Sequence, residues 1–208
     1  MSRLFTVLFL VALAMAACGE SKSPRSIASQ HTKKPGVSVP ITTVTYPPAV
    51  VGVGGGECTA AQLQLHVGPD IVALTSQDPQ SFVLLNVGRN PCSLDGYPLL
   101  EFYDGAGSLI PFHYEHSGDQ EVTSGSPNSV ELSPNHAAFF VVNIFTAVCG
   151  NYNPSAANIV VRVADGSLGP FRLPRYPSLG YCAQAPMDVS PFEPSFELAL
   201  PAQPGDGS

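Results

Sequence analysis

The sequence predicts an all-β sandwich carried behind an export signal and a linker. Three observations lead there. Short apolar runs recur with strand-like patterning and no sustained helical period. Clusters of Gly, Pro, Asn and Asp separate them at short intervals. Only 12% of the 208 residues are charged, about half the usual share, with 19 Gly and 21 Pro, which indicates many turns and few surface helices.

Residues 1–17 read as a signal peptide. Arg3 is the positive n-region, residues 4–14 are apolar apart from Thr6, and the small residues Ala16 and Ala17 follow. That apolar run is well short of the roughly 20 residues that span a bilayer. Two cleavage sites are open. Met15-Ala16-Ala17-Cys18 resembles the four-residue box of bacterial lipoproteins, with Met15 in place of the usual Leu. Ala14-Met15-Ala16 fits ordinary cleavage after an Ala-x-Ala site. Cysteine arithmetic favours lipid attachment at Cys18, because it removes the odd one of five cysteines and leaves four to pair. The lipid of such proteins holds several acyl chains, and two or more chains anchor stably where one does not.

Residues 18–56 are rich in Ser, Thr, Pro and Gly, lack an apolar period, and are expected to form a disordered linker behind the lipidated N-terminus. Lys22, Arg25, Lys33 and Lys34 against Glu20 give residues 19–56 a net charge of +3. Residues 57–208 hold four arginines, no lysine and 15 of the 16 acidic residues, a net of −11. The basic linker would be attracted to an anionic membrane surface, and the acidic domain would be pushed away from that surface and from nucleic acid; the alternative is that both are ordinary solvated segments.

The domain is expected over residues 57–200, followed by a disordered tail over residues 201–208. Leu63, Leu65 and Val67 alternate with polar residues. Residues 82–87 form a compact β-rich run, and residues 99–103 follow a Gly-Tyr-Pro turn. Residues 137–145 are apolar throughout; their length and Phe/Val content favour a buried strand over a buried helix. Residues 158–164 alternate around Val161 and Val163.

Cys58, Cys92, Cys149 and Cys182 allow three pairings, and the sequence alone does not choose among them. The near-equal spacings of 34 and 33 residues suggest sequential pairing, Cys58 with Cys92 and Cys149 with Cys182. Each bridge would then restrict the unfolded chain by about 3.7 kcal/mol in the loop-entropy model. No pair has the short spacing of a zinc site.

A family resemblance rests on three stretches. They are Cys58-Thr59-Ala60-Ala61-Gln62-Leu63, Asn86-Val87-Gly88-Arg89-Asn90-Pro91-Cys92-Ser93-Leu94-Asp95-Gly96-Tyr97-Pro98, and Tyr103-Asp104-Gly105-Ala106-Gly107. Together they resemble the actinobacterial family catalogued as domain of unknown function 4232, whose members are commonly secreted or lipid-anchored and include mycobacterial lipoproteins. The resemblance covers about residues 57–192. It implies an immunoglobulin-like antiparallel β-sandwich with two disulfides, and it supplies no catalytic residues.

Candidate chemistry is sparse. His113, His116 and His136, with Glu115, have ligand types suited to a metal, but His113 and His116 would face opposite sides of one strand. Met187 is the only methionine after Cys18, which argues against copper(I) handling. Val50-Val51-Gly52-Val53-Gly54-Gly55-Gly56 resembles a nucleotide loop, yet Glu57 takes the place of the third glycine and no helix pattern follows. No nucleophile elbow and no H-E-x-x-H helix occurs. The expectation is a noncatalytic binding or structural module without a cofactor. It would be held at the extracytoplasmic face of the cell membrane by its lipid, where it would meet an envelope protein or glycan. The alternative is a carrier of a small hydrophobic or metal ligand.

Overall fold

The computed structural model describes residues 46–52, 55–150, 153–174 and 179–202. The expected signal, Cys18, the expected linker up to residue 45 and the expected tail from residue 203 lie outside the described residues.

The domain is an all-β sandwich. In chain order its strands are β1 (Val50–Val51), β2 (Gly56–Glu57), β3 (Leu63–Val67), β4 (Gln80–Asn86), β5 (Cys92–Leu94), β6 (Leu99–Tyr103) and β7 (Leu109–Ile110). Then come β8 (Tyr114–Glu115), β9 (Val130–Leu132), β10 (Ala137–Ile144), β11 (Asn158–Val163), β12 (Gly166–Arg172) and β13 (Met187–Val189). One α-helical turn, α1 (Phe196–Ala199), and two 3-10 turns, Ala60–Gln62 and Thr146–Val148, complete the described elements.

Three sheets form, in the orders β3-β4-β10-β13-β8, β12-β11-β6-β7 and β1-β9-β5-β2. Alternation explains how they pack. In β6, Leu100 and Phe102 are buried and Leu99 is exposed; in β11, Ile159 and Val161 are buried and Arg162 is exposed. These residues share one core with Phe82 and Leu84 of β4, Phe140 and Val142 of β10, and Met187 of β13. Val130 and Leu132 of β9 and Leu94 of β5 bring the small sheet into the same core.

All eight residues of β10 are buried, which accounts for its unbroken apolar run. Ala138, Phe140, Val142 and Ile144 face the main core. Ala137 and Phe139 pack on the other side with Val83, Leu85, Tyr46 and Phe196, and Val141 packs with Val122, Ala199, Ile71 and Leu200. The second face of the five-stranded sheet is thus covered by chain from both ends of the domain.

This corrects the expected boundary of the linker at Gly56. Residues 46–51 are part of the sandwich. Pro47 O accepts a hydrogen bond from Ala137 N, and Ala49 N donates to both Ala137 O and Pro194 O, each at 3.1 Å. Val50 and Val51 pair with β9, and Gly56 and Glu57 pair in parallel with β5. The physical reason is the outer face of β10, which needs a cover for Ala137 and Phe139. Two-residue strands are too short to show a period in the sequence.

The disulfides are Cys58–Cys92 and Cys149–Cys182, with Cα separations of 4.8 and 5.6 Å. The first joins the segment after β2 to the start of β5. The second joins the turn after β10 to the segment before β13.

Candidate functional site

The stretch of residues 86–98 builds one wall of a surface cleft, and its folding begins at Asn86. This side chain is fully buried at the end of β4. Its Nδ2 donates to Asn90 O at 2.9 Å and Leu132 O at 2.8 Å, and its Oδ1 accepts from Gly88 N at 2.8 Å. Asn86 therefore holds the β4–β5 loop on itself and on β9. Pro91 then leads into the bridged Cys92. Beyond β5 the chain turns at Gly96, whose φ of +77° lies in the left-handed region that favours glycine. Gly96 O accepts from Phe192 N at 3.0 Å, which pins the C-terminal segment beside the turn.

The cleft encloses about 360 Å³ between β2, β5, the Gly96 turn and the end of β11. Leu94, Leu99, Val163 and Phe192 give it apolar walls, and Glu57, Ser93, Asp95, Tyr97 and Arg162 give it polar ones. Tyr97 is held by His116, whose ring stacks on it at 3.8 Å between centroids. His116 Nδ1 lies 3.2 Å from Val189 O, so that nitrogen carries the proton.

The charges of the cleft are unequal in availability. Arg162 is taken: its Nε and Nη2 each lie 2.7 Å from Glu101 Oε1 on the neighbouring strand β6. Tyr103 also donates to Glu101 at 2.7 Å. The Tyr103 and Arg162 hydrogen bonds hold the Glu101 carboxyl below its ordinary range, and the same Glu101 contact raises Tyr103. Glu57 and Asp95 are exposed and make no side-chain hydrogen bond or ion pair with the described residues. Ser93 is only 8% exposed, and its hydroxyl also lacks a partner among them.

The sequence-predicted histidines are dispersed among different surroundings. His113 Nε2 lies 3.7 Å from Glu115 Oε1 on an exposed surface. His116 stacks on Tyr97, and His136 sits in the turn before β10 with Nδ1 3.2 Å from Pro134 O. Among the described residues, no group of three or more His, Cys, Asp or Glu is arranged to hold a metal ion.

Sequence reasoning passed over a buried polar network at the far end of β10. Asn143 is fully buried; its Nδ2 donates to Asp119 Oδ2 at 2.6 Å and Gln77 Oε1 at 2.5 Å, and its Oδ1 accepts from Asp78 N at 2.9 Å. Asp119 Oδ1 accepts from Glu121 N and Val122 N and so shapes the loop that carries them. Burial pushes the Asp78 carboxyl up to about 6. Burial, and then the nearby Asp119 charge, raises Asp188 as well. Glu193, buried beside the cover of β10, is pushed up to about 7. Asp119, Asp188 and Asp78 hold loops, Asp119 through Glu121 N and Val122 N, Asp188 through Ser117 Oγ and Asp78 through the backbone of Gly180. The signal that could have found them is a lone Asn interrupting the apolar run of β10.

A family model described as Domain of unknown function (DUF4232) matches residues 58–193. The chain belongs to this family. No curated protein and no solved structure matches it. In this DUF4232 domain the three stretches that carry the resemblance have structural work. The first forms a capping box, with Thr59 N donating to Gln62 Oε1 at 3.1 Å. The second forms the Asn86 loop and the cleft wall. The third closes the β6–β7 hairpin, where Asp104 Oδ1 accepts from Ala106 N and Ser108 N at 2.8 Å.

Proposed function

We propose that this DUF4232 protein is an exported, lipid-anchored component of the cell envelope whose sandwich binds a partner through the cleft and catalyses no reaction. The observation that carries the reading is the cleft itself. Its Glu57, Asp95 and Ser93 side chains have no hydrogen-bond or ion-pair partner among the described residues, and polar groups left so in a concave site are suited to a ligand. Two disulfides suit an oxidising compartment outside the cytosol, in keeping with the signal ahead of Cys18. The resemblance to secreted actinobacterial proteins supports the same address. Lipid at Cys18 would set the domain at the outer face of the membrane, with the linker giving it reach to an envelope protein or glycan.

The test has two parts. Cys18→Ala should release the domain from the membrane fraction or leave an unprocessed precursor; a variant processed and membrane-bound like the parent contradicts the anchor. Purified protein should turn over no ester, peptide or glycan substrate. Reproducible turnover abolished by Glu57→Gln, Asp95→Asn or Ser93→Ala contradicts a binding role.

A further inference from the structure

We propose that the cleft takes a cationic group, an amine or guanidinium on a short apolar stem; this rests on the reading of the cleft as the binding site. Charge is the first ground. The cleft is lined by two carboxylates, Glu57 and Asp95, that no described residue neutralises, while the cation beside them, Arg162, is committed to Glu101 at 2.7 Å. The surrounding domain reinforces the sign, because residues 57–208 carry a net charge of −11 and no lysine. A cation would therefore be drawn in at long range and paired at short range.

The second ground is independent of the carboxylates. Ser93, more than nine-tenths buried in β5, is among the residues that line the cleft, and its hydroxyl has no hydrogen-bond partner among the described residues. A serine oxygen has two acceptor lone pairs, and an ammonium or guanidinium is a donor without acceptors. An anionic ligand would instead meet Glu57 and Asp95 as like charges. The apolar walls of Leu94, Leu99, Val163 and Phe192 suit an aliphatic stem, and a nearby ring such as that of Tyr97 adds to cation binding. Such a group can arrive as a free amine or as a lysine or arginine side chain of a polypeptide, and the chemistry at the cleft is the same.

The test is calorimetric titration of the full exported chain in detergent, at low and at raised salt. Cadaverine and agmatine are the free cations, a short amidated peptide containing Lys and Arg is the polypeptide source, and a neutral disaccharide and a short-chain alcohol are the uncharged probes. Saturable binding of at least one cationic probe is expected, weakened by salt. Glu57→Gln and Asp95→Asn should each weaken it two- to fivefold, and the double variant by about tenfold. Glu197→Gln, an equal loss of charge at an exposed position of α1 outside the cleft, should leave it unchanged. Binding of the peptide but not the free amines identifies a polypeptide partner; the reverse identifies a small amine. Cation binding that the double variant retains, or the absence of any cation binding, overturns the proposal. If the disaccharide or alcohol binds instead and is lost in Ser93→Ala, the cleft reading survives and its cationic ligand does not. If no probe binds, both lose their support.

Discussion

Asn86 shows how one residue can look like a functional motif and prove to be a clamp. It sits in the most distinctive stretch of the sequence, and each polar atom of its side chain is spent on the backbone of the β4–β5 loop and β9. Asn86→Ala would strand Asn90 O, Leu132 O and Gly88 N together, so we expect a loss of about 2–3 kcal/mol in denaturant unfolding. A loss under about half a kcal/mol would show that water replaces those bonds. Two carboxyls carry a second prediction. Glu193 at about 7 and Asp78 at about 6 are both raised by burial. The folded domain therefore holds protons that the unfolded chain releases. Their contribution to stability is full below about pH 4 and is lost as pH rises through 6 and 7. Unfolding midpoints should fall between pH 5 and pH 8, and Glu193→Gln should flatten the curve. Solvent screening at its margin keeps the Glu193 share to about 1–2 kcal/mol. A midpoint that rises over this interval would contradict the burial argument.

Elements differed in how clearly the sequence announced them. β3, β4, β6, β10 and β11 were legible because each is long enough to show alternation or a continuous apolar run. β12 was hidden by its Gly and Pro content. Gly169 there has φ +112°, and a Cβ at that position would lie 2.6 Å from Ile159 O, beside the bulge that shifts the β11–β12 register. β1, β2, β7 and β8 have two residues each and carry no readable period. The cover over β10 was missed for the same reason, since Tyr46 and Ala49 act singly. It has a measurable consequence. A chain beginning at Glu57 loses that cover and exposes Ala137 and Phe139, whereas one beginning at Tyr46 keeps it. We expect the shorter chain to melt about 10 °C lower than the longer one. Equal melting temperatures would show that residues 46–56 contribute little to the packing.

At the scale of the whole molecule, the sequence told the all-β class and suggested the bridge pairing, and it told little of the site. The near-equal cysteine spacings matched the bridges because each closes a loop within its own half of the domain. The cleft was not legible, because Glu57, Ser93, Asp95 and Arg162 come from three separate stretches and only the sheet order brings them together. Glu57 stood at the expected edge of the linker, and Ser93 and Asp95 read as ordinary strand and turn residues. The account of the protein joins an address to a binding surface, and the address is open to the most direct test. Intact-mass analysis of membrane-extracted protein, before and after reduction, reads the N-terminus, the lipid and the bridges together. The account predicts a chain that begins at Cys18 with several acyl groups and gains four hydrogens on reduction, two for each disulfide. A chain without acyl mass, or one whose mass does not change on reduction, would contradict it.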